Sequence, residues 1–302
     1  MIVENQSNLK VHFAGLENQD FAQILHEVSG INYSLFTVFP LIAHEVGIKP
    51  MKMKTCTNNS PLYLHSASRH TIMDSGLFTL MFGAHAGKRD AAFIEKWYGL
   101  IVDFVNRTGF KGTCVEVDCQ KILGVQKAQE YRKRMKNDLP NNRQINVFHI
   151  EDGQRGLDEM IEFSEYIAVS VPELRATGKK QYTERLANYI KAKKPSIDIH
   201  LLGCTENKLL NNLNFCSSSD STSWQQVNRF GHLKMNDGTK TLSVKNSDIP
   251  IEKLKERYSP KIEDIISQWM EPTEKRFDYY SKYALAGEVL IKQYSLYAGN
   301  QE

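Results

Sequence analysis

Acidic residues recur in this chain at the ends of short apolar runs. Thr71-Ile72-Met73 leads into Asp74, Thr113-Cys114-Val115-Glu116-Val117 into Asp118, and Leu213-Asn214-Phe215-Cys216 through three serines into Asp220. A fourth run, Ile145-Asn146-Val147-Phe148, ends at His149 and is followed by Glu151-Asp152-Gly153. Carboxylates gathered in one place can bind a divalent cation, move protons, or attack a sugar carbon. A simpler role is always open to a single Asp, which caps turns and helix N-termini through its own side chain. Repetition of the pattern asks for more than caps. After Asp74, the sequence Ser75-Gly76-Leu77-Phe78 adds a glycine that can turn at positive φ or approach a ligand closely.

Such acids form one site only if the ends of their strands meet. Apolar and alternating runs predict strands over residues 9–14, 31–36, 71–74, 113–118, 145–150, 166–171, 197–203 and 213–220. Between them, helical spacing marks residues 18–28, 93–105, 124–137, 154–164, 180–193 and 205–211. Repeated strand–helix units imply parallel pairing, and eight of them imply a closed (β/α)8 barrel, a TIM barrel. In that architecture the strand C-terminal ends form the reactive mouth. Residues 40–68 read as an irregular loop. Asn236-Asp237-Gly238-Thr239 between two alternating runs predicts a β-hairpin at about 229–245. A long amphipathic helical tail at about 260–296 carries Pro272, which should kink or split it. No linker divides residues 1–302, which read as one domain.

The chain has 38 basic and 35 acidic side chains, a net charge of +3. So small an excess neither demands nor excludes a nucleic-acid partner, since a local patch matters more than the total. The N-terminus shows no basic and apolar leader, and no apolar run nears the roughly 20 residues that cross a bilayer. A cytoplasmic protein without a membrane partner is expected. The five cysteines, Cys56, Cys114, Cys119, Cys204 and Cys216, have no Cys-x-x-Cys spacing, so neither a zinc site nor a disulfide framework is indicated. Cys114, Cys204 and Cys216 read as small core residues.

Asp74-Ser75-Gly76-Leu77-Phe78 resembles the Asp-Ser-Gly-Gly-aromatic motif of the tRNA-guanine transglycosylases. Asp118 falls where that family has a second, base-recognising acid. Leu201-Leu202-Gly203 is similar to its Leu-Met-Gly segment, and Asp220 stands at the position of its nucleophile. The order and spacing agree over residues 70–225. Asp220-Ser221-Thr222-Ser223-Trp224 and the short length are most similar to the DpdA-type branch, phage and bacterial proteins that place 7-deazaguanines in DNA. The chain departs from the tRNA enzymes in lacking their Cys-x-Cys-x-x-Cys…His zinc site after the nucleophile. It carries Leu77 for a glycine, Thr79 for a glutamine, and Ala168-Val169-Ser170-Val171 where a Gly-Gly-Leu segment contacts the base.

The resemblance implies a pentosyltransferase that exchanges guanine in DNA for a 7-deazaguanine base, protecting the DNA from restriction. Asp220 would be the nucleophile and Asp74 the general acid and base. Asp118 would accept hydrogen bonds from a guanine-like edge. Phe78 and Leu202 would sandwich the base, with Ser75, Gly76 and Gly203 completing the pocket. His149 and Ser170 are further candidates for the base edge, with core packing an equal alternative for each. No metal or other cofactor is required. The partners implied are DNA, or tRNA in the alternative reading, together with free guanine and 7-deazaguanine; a homodimer is left open. A third reading is a non-catalytic barrel subunit, against which the presence of both Asp74 and Asp220 argues. Lys52, Lys54 and Arg69, before the Asp74 strand, and Arg229, His232 and Lys234, after the Asp220 strand, are expected near the mouth as a phosphate-gripping rim.

Overall fold

The computed structural model describes residues 8–27, 29–49, 60–81, 89–225, 232–236, 241–245 and 290. Eight parallel strands close into a barrel in sequence order: β1 Lys10–Ala14, β2 Tyr33–Thr37, β3 His70–Asp74, β4 Thr113–Val115, β5 Gln144–Phe148, β6 Tyr166–Ser170, β7 Asp198–Leu202 and β8 Ser218–Ser221. Closure is made by β8 against β1, with Lys10 opposite Ser218 and His12 opposite Asp220. The helices are α1 Gln19–Glu27, α2 Phe39–Ile42, α3 Ser60–Ala67, α4 Leu77–Met81, α5 Ala91–Thr108, α6 Gln120–Leu123, α7 Val125–Asp138, α8 Gly153–Phe163, α9 Val171–Ala176, α10 Tyr182–Lys193 and α11 Asn207–Asn212. The (β/α)8 barrel expected from the sequence is therefore the fold.

Alternation along the strands divides the apolar residues between two cores. Inward-facing Ala14, Leu35, Ile72, Val115, Ile145, Val147 and Ala168 fill the barrel. Their neighbours in sequence, such as Val11, Phe13, Phe36, Met73 and Ile199, pack under the helices. α5 shows why a helix forms there. Asp90 caps its start by accepting from Phe93 N–H at 2.8 Å, and Ile94, Trp97, Tyr98, Ile101, Phe104 and Val105 lie buried at helical spacing. Each such side chain contributes about 1.5–3 kcal/mol by leaving water. Trp97 also donates its indole N–H to Ser75 O at 2.9 Å, so this helix fixes the loop after Asp74.

A buried ion pair locks the fourth unit. Arg132 of α7 meets Glu116 in a bidentate arrangement at 2.7 and 2.9 Å, and both side chains are 3 % exposed or less. Glu116 also accepts from Asn146 Nδ2 and Val147 N–H, which satisfies its remaining lone pairs. Removing one partner leaves an unpaired buried charge. Arg132→Ala is expected to cost about 3–5 kcal/mol in urea unfolding, and a loss under 1 kcal/mol would show that water reaches Glu116.

Several boundaries differ from expectation. β8 begins at Ser218, because Leu213 to Cys216 form a turn after α11, with Cys216 N–H bonded to Leu213 O. Leu213 and Cys216 are nonetheless fully buried, so their apolar character marks packing and not a strand. β4 ends at Val115, three residues before Asp118. The region 40–68 is less irregular than expected, since α2, a 3-10 turn Ala43–Val46 and α3 occupy its described parts. The hairpin is present as β9 His232–Asn236 paired antiparallel with β10 Thr241–Lys245. Of the expected tail at 260–296, Leu290 alone is described, and it is helical and buried. Cys114, Cys204 and Cys216 are buried free thiols, as is Cys119; Cys56 lies outside the described residues. Among the described residues no helix is long and apolar enough to cross a membrane.

Candidate active site

A cavity of about 310 Å³ opens at the C-terminal ends of the strands. Asp74 from the end of β3 and Asp220 from β8 both line it, with Phe78, Ser170, Leu202 and Gly203. Two acids from non-adjacent strands thus meet in one mouth, together with four of the predicted base-binding residues.

Asp74 accepts from Gly76 N–H at 3.1 Å, so it does close the turn that follows, as its simpler role predicts. That bond does not exhaust it. Burial, then the neighbouring Asp118 charge, then Asp220, push its carboxyl up to about 7, against the bonds from Gly76 and Thr37. Gly76 has φ 72°, and a Cβ there would stand 2.7 Å from Phe39 Cβ and 2.9 Å from Thr37 Oγ1. Only glycine lets the chain turn away from Asp74 while β2 remains packed against it.

Asp220 is 8 % exposed and held by one oxygen. Its Oδ1 accepts from Gly203 N–H at 2.6 Å and faces His200 Nε2 at 3.1 Å. Gly203 also has positive φ, 61°, and a Cβ would meet Pro172 Cγ at 2.7 Å. The Leu-Leu-Gly segment therefore presents a backbone N–H to Asp220 at a position where a side chain does not fit.

Asp118 lies beside this cavity and does not line it. Its Oδ2 takes a hydrogen bond from His149 Nε2 at 3.1 Å, and Ser75 Oγ stands 3.5 Å from its Oδ1. His149 Nδ1 bonds Glu173 at 2.9 Å, and Lys121 Nζ stands 2.8 Å from the same carboxylate. Burial opposes charge on His149, but the bonds to Asp118 and Glu173 outweigh it and push the imidazole up to about 10. His149 is thus a cation that orients Asp118, and its neighbour Asp152 caps its backbone N–H at 2.8 Å.

His149, Glu151 and Glu173 bring three ligand atoms within 4.8 Å of one another. Their charge is already met, since His149 is cationic and Lys121 pairs with Glu173 and, at 3.9 Å, with Glu151. If the chain catalyses the base exchange that its resemblance implies, that activity is expected to survive a strong chelator of divalent cations. Chelator-sensitive activity that returns with stoichiometric zinc would overturn this.

The sequence missed several residues here. Glu17, just past β1, lines the cavity, is 6 % exposed and accepts from Thr37 N–H at 2.7 Å; burial raises its carboxyl. With Asp74 and Asp220 it makes three carboxyl groups and no basic side chain among the described lining residues. Glu17 follows Leu16 and opens the polar run Glu17-Asn18-Gln19-Asp20, where nothing in pattern separates it from a surface acid. His200, Glu173 and Lys121 were also unforeseen.

One rim residue is corrected. Arg69 precedes the first residue of β3, its backbone N–H bonded to Asn32 O ahead of β2. It therefore lies at the N-terminal end of the barrel, opposite Asp74, because the strand itself separates the two. Lys52, Lys54 and Arg229 lie outside the described residues, and for His232 and Lys234 only the β9 backbone is described.

No family model and no curated protein matches the chain. Among solved structures, one titled "QR15, an Aldolase" aligns with 74 % of this chain and 93 % of its own at 13 % identity, with a TM-score of 0.44. Likeness at that level carries no argument about chemistry.

Proposed function

We propose that this chain is a DNA-guanine transglycosylase that replaces guanine by a 7-deazaguanine base through a covalent aspartyl-glycosyl intermediate. The observation that carries the reading is the meeting of Asp74, its carboxyl raised to about 7, and Asp220, with one oxygen unbonded among the described residues, in a single cavity. Separate environments for two acids assign them separate roles.

Asp220 attacks C1′ of the target nucleotide as the bond to guanine breaks, and Asp74 gives its proton to the departing base. Asp74, now ionised, takes the N9 proton of the incoming 7-deazaguanine. That nitrogen attacks C1′, displaces Asp220 and restores the sugar with retained configuration. Asp118, held by His149 outside the cavity lining, supplies the neighbouring negative charge that helps Asp74 keep its proton. Phe78, 58 % exposed on α4, and Leu202 at the end of β7 supply apolar surface for the faces of the base. A base inside a duplex must be extruded to reach Asp220, at a cost of a few kcal/mol.

The test is incubation with labelled guanine or 7-deazaguanine and either duplex DNA or tRNA. Label entering DNA alone supports the proposal. Label entering tRNA alone would assign the tRNA reaction, and absence of label from both would support the non-catalytic subunit.

A further inference from the structure

His200 of β7 is the most deeply buried titratable group in contact with the proposed nucleophile, with no exposed surface. The sequence offers no reason for it. Its position in the barrel does, because inward-facing residues of β7 and β8 stack side by side, His200 opposite Ser218. Nε2 faces Asp220 Oδ1 at 3.1 Å. Nδ1 faces Ser218 Oγ, which in turn meets the Tyr166 hydroxyl. Around it stand His12 and His70. Burial drives His12 well below the ordinary imidazole range, and drives His70 down to about 4.

Resting on the transglycosylase reading, we infer that His200 is a positioning residue that fixes which oxygen of Asp220 attacks. An ionised Asp220 only accepts, so the Nε2 nitrogen carries the proton. Nδ1 then accepts from Ser218, and Ser218 accepts from Tyr166. The run of bonds has one direction, from the Tyr166 hydroxyl through Ser218 and His200 into Asp220. Together with Gly203 N–H it engages Oδ1 twice. Oδ2 is left with its lone pairs available to the sugar carbon. A carboxylate free to rotate would present either oxygen at varying angles, and misplacement of a reacting atom by about 1 Å costs about 100-fold.

The experiment compares His200→Leu with His200→Gln, whose side-chain amide restores a donor towards Asp220. Wild type and Asp220→Ala run alongside to establish that exchange depends on Asp220. His200→Leu is expected to slow formation of the covalent adduct about 10- to 100-fold, leave free-base affinity unchanged, and be largely rescued by His200→Gln. Wild-type adduct rates in a folded His200→Leu protein, or equal impairment of both variants, overturn the inference. Inactive wild type is failure of the transglycosylase reading instead. The tautomer is still decided then, by 15N NMR of His200 in the resting protein. Nε2 protonation that disappears or shifts in Ser218→Ala supports the hydrogen-bonded run, and Nδ1 protonation in the wild type overturns it.

Discussion

Asp220→Ala is expected to abolish base exchange, by on the order of 10⁴-fold or more, while the barrel stays folded. The side chain is the proposed nucleophile, so its removal deletes the covalent route and does not merely weaken it. Folding should survive because the strand pairing of β8 with β1 uses backbone groups. Ala also relieves Asp74 of one neighbouring negative charge. Mass spectrometry after incubation with DNA should show an adduct on the wild type and none on the variant. Near-normal exchange by a folded Asp220→Ala protein would remove Asp220 from the reaction.

Asp74→Asn is expected to lose about 10²- to 10⁴-fold in exchange, the usual worth of a general acid and base. A slow covalent adduct should still accumulate, because Asp220 remains able to attack. In the wild type the first step needs protonated Asp74, so its rate should decline above about pH 7, the value to which the carboxyl is raised. The same shift affects stability. Unfolding lets Asp74 ionise at its ordinary value near 3.8, below its folded value of about 7. Wild type therefore loses stability as pH climbs between those two values and levels off beyond them. Asn does not titrate, so the variant should gain on wild type across that window, by up to about 4 kcal/mol at pH 8. Urea unfolding at several pH values reads the gap. A gap that stays flat with pH would mean that Asp74 ionises in the folded protein as it does in the unfolded one.

The barrel was legible in the sequence because strand and helix periodicities alternate through residues 9–220 with few interruptions. Asp74, Asp220, Phe78, Leu202 and Gly203 were legible as cavity residues because motif and strand end coincide. Harder to read were contacts set by which strands lie opposite one another. His200 and Ser218 meet only through the β7–β8 register, and alternation alone does not say which polar residues face inward together. Asp118, which the resemblance places in the pocket, is engaged by His149 and is not among the residues that line the cavity. β4 ends at Val115, and Glu116, the next residue, pairs with Arg132 of α7. Arg69 was assigned to the wrong end because proximity in sequence to a strand says nothing of which end of it faces the mouth.

The seam between β1 and β8 bears on how the protein is made. Asp74 and Asp220 are held apart in the sheet by β1 and β2, and no neighbouring pair of strands carries both. Trp224 donates its indole N–H to Ala14 O at 2.8 Å, and Gln225 Nε2 reaches Gly15 O at 3.1 Å, fastening the closing strand to the first. During synthesis a chain of the first 200 residues can already carry Asp74, Asp118 and His149 without the nucleophile. Such a nascent chain lacks Leu202, Gly203 and Asp220 of the cavity and could not cut a glycosidic bond. On the proposed reading, bond cleavage is gained only when β8, the strand that closes the barrel, has left the ribosome and docked, and a polypeptide stalled or clipped before it creates no abasic damage in the DNA around it.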